Sequence, residues 1–97
     1  MPNQSQIKIT RVAGAVTFSP NPLKVVALGQ IFWTNDDNTP HWPGLLNSDG
    51  TINTTFFMPN QIASDGDTSP IFSPSAPATY QYVCSLHPTE KGTIVVS

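Results

Sequence analysis

The sequence predicts an all-β domain: a Greek-key β-sandwich or barrel of seven to eight strands. Three observations predict it. Short runs of alternating apolar and polar residues recur along the chain, each bounded by Gly, Pro, Asn or Asp. Ten prolines among 97 residues, about twice the usual ~5%, are spread throughout, where they break helices and bound strands. No stretch reads as a helix, and turn signals at short intervals are those of a sandwich or barrel.

The elements follow in order. Gln6 to Val12 alternates, with Ile7 and Ile9 on one face and Lys8 and Thr10 on the other, as in a half-buried strand. Gly14 allows a turn. Ala15 to Ser19 sets Val16 and Phe18 on one face, and Ser19-Pro20-Asn21-Pro22 stops pairing because each proline lacks a donor. Leu23 to Ala27 resumes as a strand, and Gly29 marks the next turn. Gln30 to Asn35 is the best central strand, with Ile31 and Trp33 opposed to Phe32. Asp36 to Pro40 is a loop by turn chemistry and delivers His41. Trp42 to Leu46, broken by Pro43 and Gly44, reads as a surface or rim segment. Asn47-Ser48-Asp49-Gly50 is a turn. Thr51 to Met58 places Ile52, Phe56 and Met58 in one phase. Ser69 to Pro74 reads as a short edge strand, Ala78 to Cys84 as a firm strand and Gly92 to Ser97 as the last.

Length and charge narrow the function. Residues 1–97 make one domain with a modest core and no room for a second lobe. The net charge is −2, and the four basic residues, Lys8, Arg11, Lys24 and Lys91, are scattered. No broad field or phosphate-binding stripe points to nucleic acid or to an anionic membrane. No stretch approaches the length of a membrane span. Met1-Pro2-Asn3-Gln4 lacks the basic and apolar regions of a secretory leader.

Cys84 is the only cysteine, so an internal disulfide is ruled out and a ligand role is the more useful one. His87 follows it by three residues, and the only other histidine, His41, lies far upstream. One thiolate and two imidazoles in trigonal array with a weak fourth ligand define a copper electron-transfer site. Cys84 ends a strand and His87 lies in the following loop, so the two intervening residues let the chain reverse and bring both side chains to one metal. His41 must then come from a different loop at the same end of the sandwich. Read alone, Cys84 is better explained as a buried structural thiol; His87 and His41 turn the reading toward a ligand.

At these residues the chain resembles a known family. Tyr80-Gln81-Tyr82-Val83-Cys84-Ser85-Leu86-His87-Pro88, followed by Gly92-Thr93-Ile94-Val95-Val96, is similar to the C-terminal end of a cupredoxin, or blue copper protein, of the plastocyanin/amicyanin type. Phe18-Ser19-Pro20-Asn21-Pro22-Leu23-Lys24-Val25, then Gly29 and Phe32-Trp33-Thr34-Asn35-Asp36, matches the approach to the family's first histidine. Leu45 to Pro77 matches least.

The resemblance implies one type 1-like copper with His41, Cys84 and His87 in its equatorial plane. It implies a monomer, not an enzyme, that shuttles single electrons between redox partner proteins. It also implies a periplasmic or otherwise extracytoplasmic location, with any leader already removed. Two positions depart from the pattern. Glu90 stands where short-loop members carry the axial methionine, and Trp42 stands where many place an asparagine after the first histidine. Glu90 is therefore expected as the axial ligand, against a solvated loop glutamate beside Lys91. Asn35 or Thr39 is expected to take over the tethering of the ligand loops. Met58 reads as core. Leu86 and Pro88 are expected to form a small apolar docking patch at an exposed edge of His87, with Trp42 left open between docking and loop packing.

Three rivals remain. The first is a copper-binding protein whose open or carboxylate-ligated site serves small-ligand binding or copper handling. The second is a Cys–His hydrolase or transferase, for which no acidic residue is evidently placed to orient a histidine. The third is a metal-free Ig-like module, which leaves the ligand constellation as coincidence.

Overall fold

The computed structural model describes residues 4–97; residues 1–3, in the stretch read for a leader, lie outside it. In chain order the strands are β1 (Gln4–Val12), β2 (Ala15–Ser19), β3 (Leu23–Val25), β4 (Gln30–Asn35), β5 (Pro43–Leu46), β6 (Ile52–Asn53), β7 (Asp67–Thr68), β8 (Ala78–Cys84) and β9 (His87–Val96). They form a four-stranded sheet, β2-β1-β4-β7, and a five-stranded sheet, β3-β9-β8-β5-β6. The all-β sandwich is as expected. The described residues hold nine strands rather than seven or eight, because β6 and β7 are two-residue pieces.

The early alternation builds the first sheet. β1 and β2 form a hairpin across Ala13 and Gly14, both at positive φ, the twist that suits a two-residue connection. β4 pairs parallel to β1, with Ile7 opposite Trp33 and Ile9 opposite Asn35. Both strands therefore end at the same end of the molecule. From the first sheet Ile7, Ile9, Phe18, Ile31 and Trp33 enter the core, and from the second Leu23, Tyr82, Cys84, Ile94 and Val96. Aromatic rings fill the middle: Tyr82 stands edge-on to both Phe18 and Trp33, at centroid distances of 5.0 and 5.5 Å.

Five segments differ from the sequence reading. β3 stops at Val25, and the left-handed residue of the next turn is Leu28, not Gly29. Leu28 N–H donates to Pro74 O at 2.7 Å, which fixes that turn. Trp42 to Leu46 is no rim. Pro43 opens a strand between β6 and β8, a first position where a missing donor is tolerated. Gly44 is required there because an added Cβ would come within 2.7 Å of Ile52 and 2.8 Å of Ser85.

Thr51 to Met58 is not one strand. Asn53 Oδ1 accepts hydrogen bonds from Thr55 N (3.1 Å) and Thr55 Oγ1 (3.2 Å), an Asx turn that ends β6. Phe57 and Met58 then both turn inward, so the alternation fails. The edge strand sits earlier than Ser69 to Pro74, at β7, and Phe72 adds only a single bridge to Ile31. The last strand begins at His87 instead of Gly92, because Cys84 and His87 pair across a two-residue turn.

Candidate metal centre

The parallel pairing of β1 with β4 and the hairpin of β8 with β9 gather the chemistry-bearing residues at one end of the sandwich. Cys84 is the last residue of β8. Ser85 and Leu86 make the turn, and His87 faces Cys84 as the first residue of β9. The ladder then slips. Val83 pairs with Lys91, so Pro88, Thr89 and Glu90 bulge out between two paired positions. Bulges re-aim side chains beside sites, and this one points Glu90 at the two histidines. His41 arrives from the β4–β5 connection. Its backbone is pinned by a two-way bridge: His41 N to Ile62 O at 3.2 Å and Ile62 N to His41 O at 2.7 Å.

Four donor atoms converge. Cys84 Sγ lies 3.6 Å from His41 Nδ1 and 3.5 Å from His87 Nδ1. Glu90 Oε1 lies 3.1 Å from His41 Nδ1 and 3.5 Å from His87 Nδ1. All four ligating groups fall within 4.8 Å of one another. Donors held at about 2.0–2.3 Å from one metal ion stand about 3.3–3.8 Å apart, so the spacing fits a single ion. Glu90 Oε1 is buried with no hydrogen-bond partner, the condition of a ligand atom aimed at a cation. The sequence expectation brought together all four residues, but it put His87 in a loop where the structure puts it on a strand.

Exposure is graded across the cluster. The side chain of His41 is 0% exposed, that of Glu90 15% and that of His87 41%. Burial pushes the Cys84 thiol up, against the backbone N–H groups of Trp42, Leu86 and His87 that favour the thiolate. Trp42 N–H donates to Sγ at 3.4 Å, and Ser85 N–H donates to Trp42 O at 2.7 Å. The residue at the usual asparagine position thus contributes through its backbone. Met58 packs in the core cluster, as expected.

The expected tethering of the two ligand loops by Asn35 or Thr39 is not found: the Trp42 backbone joins them, while Asn35 braces the His41 side alone and the Thr39 hydroxyl stays within its own loop. Fully buried Asn35 donates from Nδ2 to Thr39 O (2.8 Å), Ile62 O (3.2 Å) and Ala63 O (3.3 Å), and its Oδ1 accepts from Asp37 N (3.0 Å). One carboxamide therefore ties both segments that frame His41. Thr39 Oγ1 donates to Asp37 Oδ2 at 2.8 Å.

Another expectation is overturned: an acidic residue does orient a histidine. Asp37 Oδ2 lies 2.8 Å from His41 Nε2, and Arg11 grips the same carboxylate through Nε and Nη2, both at 2.9 Å. The Arg11 guanidinium holds the Asp37 carboxyl well below the usual carboxylate range, against a burial that would raise it; His41, Thr39 and the Asn38 backbone reinforce the shift. A signal for Arg11 existed in the sequence. It continues the inward phase of Ile7 and Ile9, an unusual place for a charge. Its partner, 26 residues away, follows only from the β1–β4 pairing.

The exposed rim beside the cluster carries Leu86, 43% exposed, with Pro88 also exposed and Trp42 half-buried. A surface recess of about 470 Å³ lies at the other end of the sandwich, among Gln4, Lys24, Gly29 and Ser97. Among the described residues no helix is long and apolar enough to cross a membrane.

No protein-family model and no curated protein sequence matches the chain. Solved structures do. The chain is similar to a purple cupredoxin from Nitrosopumilus maritimus, with 30% sequence identity, a TM-score of 0.82, and coverage of 96% of this chain and 99% of that one. It shares its fold with amicyanin from Paracoccus versutus at 17% identity and a TM-score of 0.72, over 95% of this chain and 79% of that one. It also shares its fold with plastocyanin from Dryopteris crassirhizoma at 19% identity and a TM-score of 0.76, over 96% and 100%.

Proposed function

Because the chain belongs to the cupredoxin family, we propose that it carries single electrons between larger redox proteins through one copper ion held by His41, Cys84, His87 and Glu90. The observation that carries this reading is the convergence of one sulfur, two imidazole nitrogens and one carboxylate oxygen within 4.8 Å. That donor set suits copper. When bound, the copper supplies the one-electron Cu(II)/Cu(I) couple.

The chain's own residues do the rest. Asn35 and the His41–Ile62 bridge hold the His41 loop in place, and the Trp42 backbone joins it to Cys84 and Ser85, so little has to move when the charge changes. Cys84 and His41 are fully buried, which keeps water from the sulfur side of the site. His87, 41% exposed, is the edge through which the electron passes. Leu86 and Pro88 beside it form the apolar patch on which a partner docks transiently. Glu90 in place of a thioether favours Cu(II) and lowers the reduction potential. Residues 1–97 act as one monomeric domain, working outside the cytoplasm.

Cys84, His41 and Asp37 also stand in the order of a hydrolase triad. Sγ and both ring nitrogens of His41 are closed off by burial, so a substrate carbonyl does not reach the thiol. A second reading draws on the partial exposure of Glu90, 15%: a carboxylate-ligated site that takes up a small ligand or handles copper. A marked spectral change on adding azide would favour it, and fast reversible electron exchange would favour the carrier.

The test is the visible spectrum of the apo-protein titrated with one equivalent of Cu(II). An intense thiolate-to-copper band, purple as in the N. maritimus relative and lost in Cys84→Ser, is the expected result. Glu90→Gln should alter that band and the EPR spectrum. A pale solution with only weak d–d absorption would overturn the reading, and unchanged spectra in Glu90→Gln would remove Glu90 from the ligand set.

A further inference from the structure

Every partner of the Asp37 carboxylate is a donor. Oδ1 accepts from Arg11 Nε at 2.9 Å. Oδ2 accepts from Arg11 Nη2 at 2.9 Å and from Thr39 Oγ1 at 2.8 Å, and it lies 2.8 Å from His41 Nε2. Asp37 is an ionised, acceptor-only group in this setting, so the hydrogen on His41 must sit on Nε2. Thr39 Oγ1, 3.4 Å from the same nitrogen, already directs its proton to Asp37. His41 Nδ1 is left as the bare lone pair, and it is the nitrogen that faces Cys84 and Glu90. The ring is fully buried and Asp37 is 2% exposed, so neither finds an alternative partner in water.

We propose that Asp37 is a positioning residue of the metal centre: it fixes His41 as an Nδ1 donor and strengthens that donor, while Arg11 limits how far it does so. This rests on the copper reading above. A carboxylate that accepts from Nε2–H draws the proton toward itself and raises the electron density on Nδ1. A stronger donor stabilises Cu(II) more than Cu(I). Asp37 therefore lowers the reduction potential. Arg11 occupies one oxygen of the same carboxylate fully and shares the other, so it draws negative charge away from His41 and raises the potential. The two halves of one ion pair thus act on the metal in opposite directions. Arg11 is also 40% exposed, which carries this influence from the buried ring to the surface of β1.

Two substitutions separate tuning from mere support. Asp37→Asn keeps the shape and an acceptor oxygen but removes the charge. Arg11→Gln removes the competing cation. Cu(II) affinity should fall about tenfold or more in Asp37→Asn, the usual size of such outer contacts, with Cu(I) affinity much less affected. A selective tenfold loss corresponds to a rise of about 59 mV in a one-electron potential. Arg11→Gln should move the potential the other way. A purely structural role would lower the melting temperature of both variants without opposite shifts in potential.

A third measurement needs no metal. In the ¹⁵N NMR spectrum of the apo-protein, His41 should carry a slowly exchanging proton on Nε2, shifted downfield by Asp37 and moved upfield in Asp37→Asn. An Nδ1–H tautomer in the wild-type apo-protein overturns the proposal. So does an unchanged potential in Asp37→Asn, or a shift of the same sign in both variants. If the wild type shows no thiolate band with Cu(II), the copper reading falls; the apo-protein spectrum still decides whether Asp37 positions His41.

Discussion

Tyr82 fills the space in which Gly92, its partner across the β8–β9 ladder, would carry a side chain. A Cβ on Gly92 would collide with the Tyr82 ring and hydroxyl oxygen. The ring cannot swing aside, because Phe18, Trp33 and Phe57 pack around it.

Gly92→Ala should therefore overpack the core. The expected cost is about 1–3 kcal/mol, or roughly 4–8 °C in melting temperature for each kcal/mol in a domain of this size. Tyr82 stands two residues before Cys84, so the copper band should shift as well. A melting curve and spectrum indistinguishable from wild type would contradict this packing.

Tyr82→Phe makes the opposite case. Tyr82 Oη is buried without a hydrogen-bond partner, and no normally formed bond links it to the nearby Trp33 Nε1. Removing it should cost little stability at neutral pH, or add some. Burial raises the ionisation of the Tyr82 hydroxyl well above its ordinary position. The unfolded chain releases that proton near pH 10, while the folded chain retains it. The stabilisation is whole below that pH and declines as pH rises past it, by about 1.4 kcal/mol per pH unit. Urea midpoints compared at pH 8 and 11 should fall less in Tyr82→Phe than in wild type; equal falls would count against the assignment.

Asn35→Ala removes one carboxamide from four hydrogen bonds that join residues 37, 39, 62 and 63. The loss should be about 2–3 kcal/mol, since buried partners are left unpaired. Copper should also dissociate faster, because both segments framing His41 loosen together. A stopped-flow chelator experiment reads that rate; unchanged release with lowered stability would separate tethering from ligand geometry.

Leu86→Asp places a charge on the exposed rim beside His87. Electron self-exchange, read from NMR line broadening in mixtures of oxidised and reduced protein, should slow by more than about tenfold, the effect of ~1.4 kcal/mol on the encounter. The copper spectrum should not change. An unaltered rate would move the docking face elsewhere.

Strands with clean alternation and clear punctuation were legible from the sequence. β2, β4 and β8 run as their residues suggest, and β1 extends only slightly further. β5 was hidden because Pro43 and Gly44 resemble breakers when read locally. Their roles, a strand opening and a close approach by Ser85 and Ile52, exist only once β8 and β6 are in place. Residues 51–58 misled because Asn53 closes on Thr55, a local bond that outweighs an apparent apolar phase. At the site, Cys84, His87 and His41 were visible as residue types, and Glu90 followed only from the resemblance to cupredoxins. Asp37 lay four residues before His41 and Arg11 lay in the inward phase of β1, but the contact between them depends on a parallel pairing that no local window contains.

The slip in the β8–β9 ladder has a consequence for how such a centre can change over time. Pro88, Thr89 and Glu90 stand outside the pairing register, between His87 opposite Cys84 and Lys91 opposite Val83. Because these residues pair with nothing on β8, substitutions among them need not move Tyr80 off Ile94 or Tyr82 off Gly92. On the proposed copper reading, the fourth donor would thereby be uncoupled from the ladder that positions the other three, and redox behaviour could diversify while the architecture stays still.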